Sequence, residues 1–82
     1  METTITDYVA AALVRGQYEL LEDGTYFATV PELPGVWGSG PNVEFCRRDL
    51  AEAIEGWLIV GLQHGTAIPR IGEVGLTTAP TA

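Results

Sequence analysis

The stretch Val43–Gln63 constrains this chain more than any other feature. Asn42 is a natural N-cap, and Gly65 stands just beyond its end. It reads as one helix taking about a quarter of the 82 residues. At about 100° per residue, Val43, Cys46, Leu50, Ala53, Ile54, Trp57, Val60 and Gly61 share one face. Glu44, Arg48, Glu52 and Glu55 lie opposite. Such a helix needs cover for its apolar face. A chain this short builds a single core, so the remaining residues must supply that cover as one surface.

The preceding segments are suited to the task. Thr4 caps a first helix, Ile5–Val14, and Asp7 completes a capping box three residues on. Ile5, Tyr8, Val9, Ala12 and Leu13 form its stripe, and Gly16 follows its end. Residues 17–21 and 25–30 are rich in Tyr, Leu, Phe, Thr and Val, which favours strands. Asp23-Gly24 between them predicts a two-residue type I′ hairpin pairing Leu21 with Tyr26 and Leu20 with Phe27. Tyr18, Leu20, Phe27 and Thr29 would then share one face. Glu19, Leu21, Tyr26, Ala28 and Val30 would share the other. Pro31-Glu32-Leu33-Pro34-Gly35 is a loop, with Pro34-Gly35 at the centre of a type II turn. A short strand, 36–38, is expected to end at the Gly38-Ser39-Gly40-Pro41 breaker. Residues 73–78 are expected to form a last strand, parallel to the first, and 79–82 a frayed end. The fold class is therefore α+β, one domain in the order α-β-β-β-α-β, with the long helix on one face of the sheet.

Composition narrows the function. Eleven acids against four arginines and no lysine leave a net charge of −7. That disfavours nucleic acid and anionic membrane, both of which call for a basic footprint. One cysteine makes neither an internal disulfide nor a zinc site. The N-terminus lacks a signal-peptide pattern and no apolar run is long enough to span a bilayer, so a cytoplasmic location is expected. Cys46 and Trp57 read as core, and His64 as a helix-end residue. Trp37 is open between core and interface rim. The acids fall in turns and on a solvated helix face, giving no metal constellation. Catalytic, metal and cofactor residues are accordingly read as none, and binding is favoured over turnover.

Several segments together resemble a known family. They are Tyr18-Glu19-Leu20-Leu21-Glu22-Asp23-Gly24-Thr25-Tyr26, Pro31-Glu32-Leu33-Pro34-Gly35-Val36-Trp37, the Gly40 approach to the long helix, and Ala53-Ile54-Glu55-Gly56-Trp57-Leu58. In this order they resemble the short members of the HicB antitoxins, over residues 4–76. The resemblance implies a partial RNase H-like fold and a partner, the HicA toxin. HicA is a small basic RNA-cleaving protein whose active site such antitoxins mask. Many family members add a C-terminal DNA-binding domain. This sequence stops at Ala82 without one, so autorepression is not expected of it. The helix opening departs from the family's Thr-x-Glu-Glu: it is Asn42-Val43-Glu44-Phe45, which leaves Phe45 as a candidate contact. Nuclease chemistry does not follow from the fold name, because it needs carboxylates around two metal ions.

The expected toxin-binding residues are Glu32, Trp37, Phe45, Glu52 and Glu55. A homo-dimer or tetramer is also expected, with Tyr8, Tyr26, Ile59 and Leu62 in the interface. The alternative reading is an orphan oligomerising domain whose partner is lost or unrelated.

Overall fold

A computed structural model describes residues 4–71 of the chain. Their order is α1 (Ile5–Val14), β1 (Gln17–Leu20), β2 (Tyr26–Thr29), β3 (Trp37–Gly40) and α2 (Val43–Gln63). The three strands form an antiparallel meander in the order β1-β2-β3. The architecture is α+β, as the sequence patterning indicates. The expected last strand, 73–78, lies outside the described residues.

Both helices begin where their caps place them. The Thr4 hydroxyl accepts from the Asp7 amide at 3.1 Å, and the Asp7 carboxylate accepts from the Thr4 amide at 3.2 Å. These bonds satisfy two backbone donors that a helix start leaves open. Asn42 caps α2 by accepting from the Phe45 amide at 2.7 Å. At the far end Gly65 takes φ +68°. Thr66 N–H then reaches the Gly61 carbonyl, and Gly65 N–H that of Leu62. This Schellman ending turns the chain back toward the core.

The hairpin departs from expectation. Leu20 pairs with Tyr26, Glu19 with Phe27 and Tyr18 with Ala28. The Leu21 amide donates to the Thr25 carbonyl, and the Gly24 amide to that of Leu21. The loop therefore holds three residues, Glu22, Asp23 and Gly24. Only Gly24 takes positive φ, at +87°, whereas a type I′ turn needs it at both centres. The Asp23 carboxylate accepts from both the amide and the hydroxyl of Thr25, which holds this longer loop. The extra residue shifts pairing by one place and moves side chains between faces. Phe27 thus leaves the face of Tyr18 and Leu20, and Tyr26 and Ala28 join it.

β3 also runs differently, through Gly40 rather than stopping at Gly38. Its glycines are contacts for α2. A Cβ on Gly38 would lie 2.5 Å from the Leu50 amide nitrogen, and one on Gly40 2.8 Å from that of Cys46. The helix backbone rests directly on the strand there, and only glycine leaves the room.

The core gathers where these elements meet. Tyr8 and Ala12 of α1, Ala28 of β2, and Cys46, Leu50, Ile54 and Leu58 of α2 are fully buried. Cys46, Leu50, Ile54 and Leu58 are an i+4 row, which winds around the helix. That drift explains why Leu58 is buried while Val43 and Val60, expected inside, are exposed. The proline loop makes two successive turns, closed by bonds from Leu33 to Val30 and from Val36 to Leu33. Gly35, at φ +89°, fits the second as type II. Between them Leu33 plugs the core. The Tyr8 hydroxyl donates to the Pro69 carbonyl, tying α1 to the segment after α2.

Candidate functional site

With α2 lying on Gly38 and Gly40, strand alternation turns Trp37 and Ser39 the other way. In register with them are Thr29 and Phe27, then Gln17 and Glu19. No described helix covers this face. Phe27 and Trp37 are diagonal neighbours across β2 and β3. Their rings stack at 5.7 Å between centroids and 24° between planes. Trp37 remains 53% exposed. Among the strand residues of this face, Glu19 is the one charge and there is no cation. An aromatic pair beside a carboxylate can receive a cationic side chain, through the π face and by ion pairing.

Arg15 and Arg47 lie elsewhere. Arg15 pairs with Glu32 at 3.1 Å, fastening the proline loop to α1. Arg47 edges a groove of about 510 Å³ between the helices, with Ile5, Val9 and Leu13 along it. The outer side of α2 carries a third feature: Glu52, Glu55, Gly56 and Ile59 line a shallow depression.

The expected contact residues do not form one surface. Trp37 is on the open sheet face, whereas Glu52 and Glu55 are on the outer side of α2. Glu32 is half-buried and engaged with Arg15. Phe45 is exposed at the start of α2, beside Gly40. Tyr8 is a correction to the expected oligomer surface: its ring is wholly inside the protomer and its hydroxyl is used. Tyr26 is half-buried against the core and Leu62 is half-buried, while Ile59 is 40% exposed. Sequence reasoning missed Phe27 and Glu19, because the hairpin register decides their face. It gave Gly56 no role of its own, although a glycine inside a helix was legible; the structure adds that nothing packs on it.

Cys46 and His64, of residue types that serve catalysis elsewhere, lie in the first turn of α2 and at its end. Cys46 is buried, its thiol 3.6 Å from the Gly38 carbonyl. Burial, with Asp49 nearby, pushes its pKa up, opposite to the activation a nucleophile needs. His64 is the C-cap of α2, its amide bonded to Val60. Among the described residues no three of His, Cys, Asp and Glu gather as metal ligands. No described helix is long and apolar enough to cross a membrane.

The model of a family described as UPF0150-like matches residues 7–69. The chain belongs to that family. UPF0150-like proteins are small and associated with HicB-type antitoxins. The structure is similar to the crystal structure of TTHA0281 from Thermus thermophilus, with a TM-score of 0.86 at 37% identity. That likeness covers 94% of this chain and 95% of the other. No curated protein matches this UPF0150-like chain.

Proposed function

We propose that this UPF0150-like chain is a non-catalytic, antitoxin-like binding module. It neutralises a small basic ribonuclease of the HicA type by covering its active site. The open sheet face carries the reading. A ribonuclease that grips RNA phosphates presents cations, and Trp37 stacked on Phe27 beside Glu19 is a surface of matching chemistry. The net charge of −7 adds attraction at a distance. Family membership supports a protein partner.

A cleavage assay with a HicA-type ribonuclease encoded beside this chain tests the proposal. Equimolar protein should suppress RNA cleavage, and Trp37→Ala should restore it through dissociation at least tenfold faster. The chain by itself should cleave neither RNA nor DNA, with or without Mg²⁺ or Mn²⁺. Undiminished cleavage at saturating protein would overturn the masking reading. Metal-dependent cleavage by the chain, abolished by changing one Asp or Glu, would overturn the non-catalytic one.

A further inference from the structure

Helices α1 and α2 pack together over the core, and their outer sides leave a trough between them. One part, about 510 Å³, is lined along α1 by Ile5, Val9 and Leu13 and along α2 by Arg47 and Glu55. A second part, about 330 Å³, continues past Leu13 and Arg47 to Arg48 and Ala51. Each wall is an i+4 row, Ile5-Val9-Leu13 on α1 and Arg47-Ala51-Glu55 on α2, and each runs about 12 Å. The α1 row is apolar and only half-buried. An open trough between two i+4 rows seats the apolar ridge of a third helix, whereas a small ligand calls for enclosure on most sides.

Charge marks the two ends of the trough. Arg47 and Arg48 stand at the Leu13 end, with Glu44 beside them, so that end is net positive. Glu55 stands at the other. The chain carries four arginines in a net charge of −7. Among the described residues Arg15 is ion-paired with Glu32, while neither Arg47 nor Arg48 has a carboxylate partner. Two unpaired cations at one end of an apolar trough, in an acidic chain, are complementary to carboxylates brought from outside.

We propose that this trough receives an amphipathic helix of a partner protein, one with acidic residues at one end of its apolar stripe and basic residues at the other. The carboxylates lie over Arg47 and Arg48, the basic end lies over Glu55, and the stripe covers Ile5, Val9 and Leu13. The proposal rests on the trough alone and not on the toxin reading.

A labelled synthetic helix of about 15 residues tests it, held helical by a lactam bridge on its polar face because a free peptide that short is marginal. It carries leucines at i, i+4, i+7 and i+11, glutamates at one end and lysines at the other. Fluorescence anisotropy should show saturable binding. Ala10→Glu, at an exposed position lining the trough, should raise the dissociation constant at least tenfold, as should Arg47→Glu combined with Arg48→Glu. All three sites are exposed in the protomer, and circular dichroism should show the variants folded. A second peptide, with lysine for each glutamate, should bind the unaltered chain at least tenfold more weakly than the first. It should bind the doubly reversed chain more tightly than the first does. Total charge alone predicts that the all-lysine peptide binds the unaltered chain better, because the chain is net negative. That preference would overturn the proposal, as would binding indifferent to these variants. So would dodecanoate occupying the trough while neither peptide does, which would assign it to a small amphiphile. A change in the sedimentation of the chain by itself on Ala10→Glu would assign the trough to a second copy, and overturn the proposal too.

Discussion

Gly38 and Gly56 are the same residue type in opposite situations. At Gly38 the missing Cβ is what lets α2 reach the sheet, because that atom would stand 2.5 Å from backbone that cannot swing aside. Gly38→Ala should destabilise the fold by at least about 3 kcal/mol, the upper range for overpacking. Gly56→Ala should do the reverse. Measured where the chain is monomeric, it should add about 1 kcal/mol, the helix-propensity difference between the two residues. Urea denaturation of both variants checks the pair, and equal losses would show that packing on α2 is not as described. Asp23 gives a second test at this scale. The Thr25 hydroxyl, then the Thr25 amide, hold its carboxyl pKa below the usual value. A carboxyl depressed in the folded state contributes stability above its unfolded pKa and loses it as pH falls through the folded one. Thr25→Val should therefore raise the Asp23 pKa toward the ordinary carboxylate range, followed by NMR of its side-chain carbon. The hairpin loop is the element this bond holds.

Element ends carry much of the specificity in this chain. The capping box of α1, the Asn42 N-cap of α2 and a Schellman turn are local, so α1 and α2 start and stop where the nearby residues dictate. The segment after α2 is held differently, by Ile68 and Ile71 packed on the core and by the Tyr8 hydroxyl on the Pro69 carbonyl. Tyr8→Phe should cost about 1 kcal/mol, a typical net hydrogen bond, without disturbing the core. Amide exchange should accelerate mainly in residues 66–71, and uniform acceleration through α1 would argue against a tether. Burial, then Glu32, raises the Tyr8 pKa. Its hydroxyl is therefore the proton-bearing donor at neutral pH. Its contribution is complete below the unfolded tyrosine pKa and falls away only as pH rises through the higher folded value.

Under the proposed function, charge and aromatic surface divide the labour over the whole molecule. A net charge of −7 acts at long range, and salt screens it as the Debye length falls from about 30 Å at 0.01 M to about 3 Å at 1 M. Association with a basic ribonuclease should slow steeply over that range, while dissociation changes little. Glu19→Lys, beside the stacked rings, should slow association more than Glu52→Lys on the outer side of α2. Stopped-flow traces across the salt series distinguish them. Equal effects would mean that the acids act only through total charge.

Much of this was readable from residues near one another in sequence. Thr4 with Asp7, Asn42 with Phe45, Pro34 with Gly35, and Gly65 each set their element through bonds spanning a few residues. The α+β class followed, because an amphipathic helix and a meander in one small chain have a single core to share. The candidate site was less legible, and the cause is the hairpin. Whether Asp23-Gly24 closes a two-residue or a three-residue loop is a small local choice, but it moves Phe27 from one face of the sheet to the other. Trp37 gained its stacking partner and Glu19 its place beside them only through that register. β3 shows the same limit: Gly38-Ser39-Gly40 reads locally as a breaker, yet it is a strand because α2 lies against it. Local hydrogen bonding and periodicity are determined by the sequence by itself. Which face looks outward, and which glycines are contacts, was decided when strands and helix packed together, since one residue of register reverses every side chain in a strand.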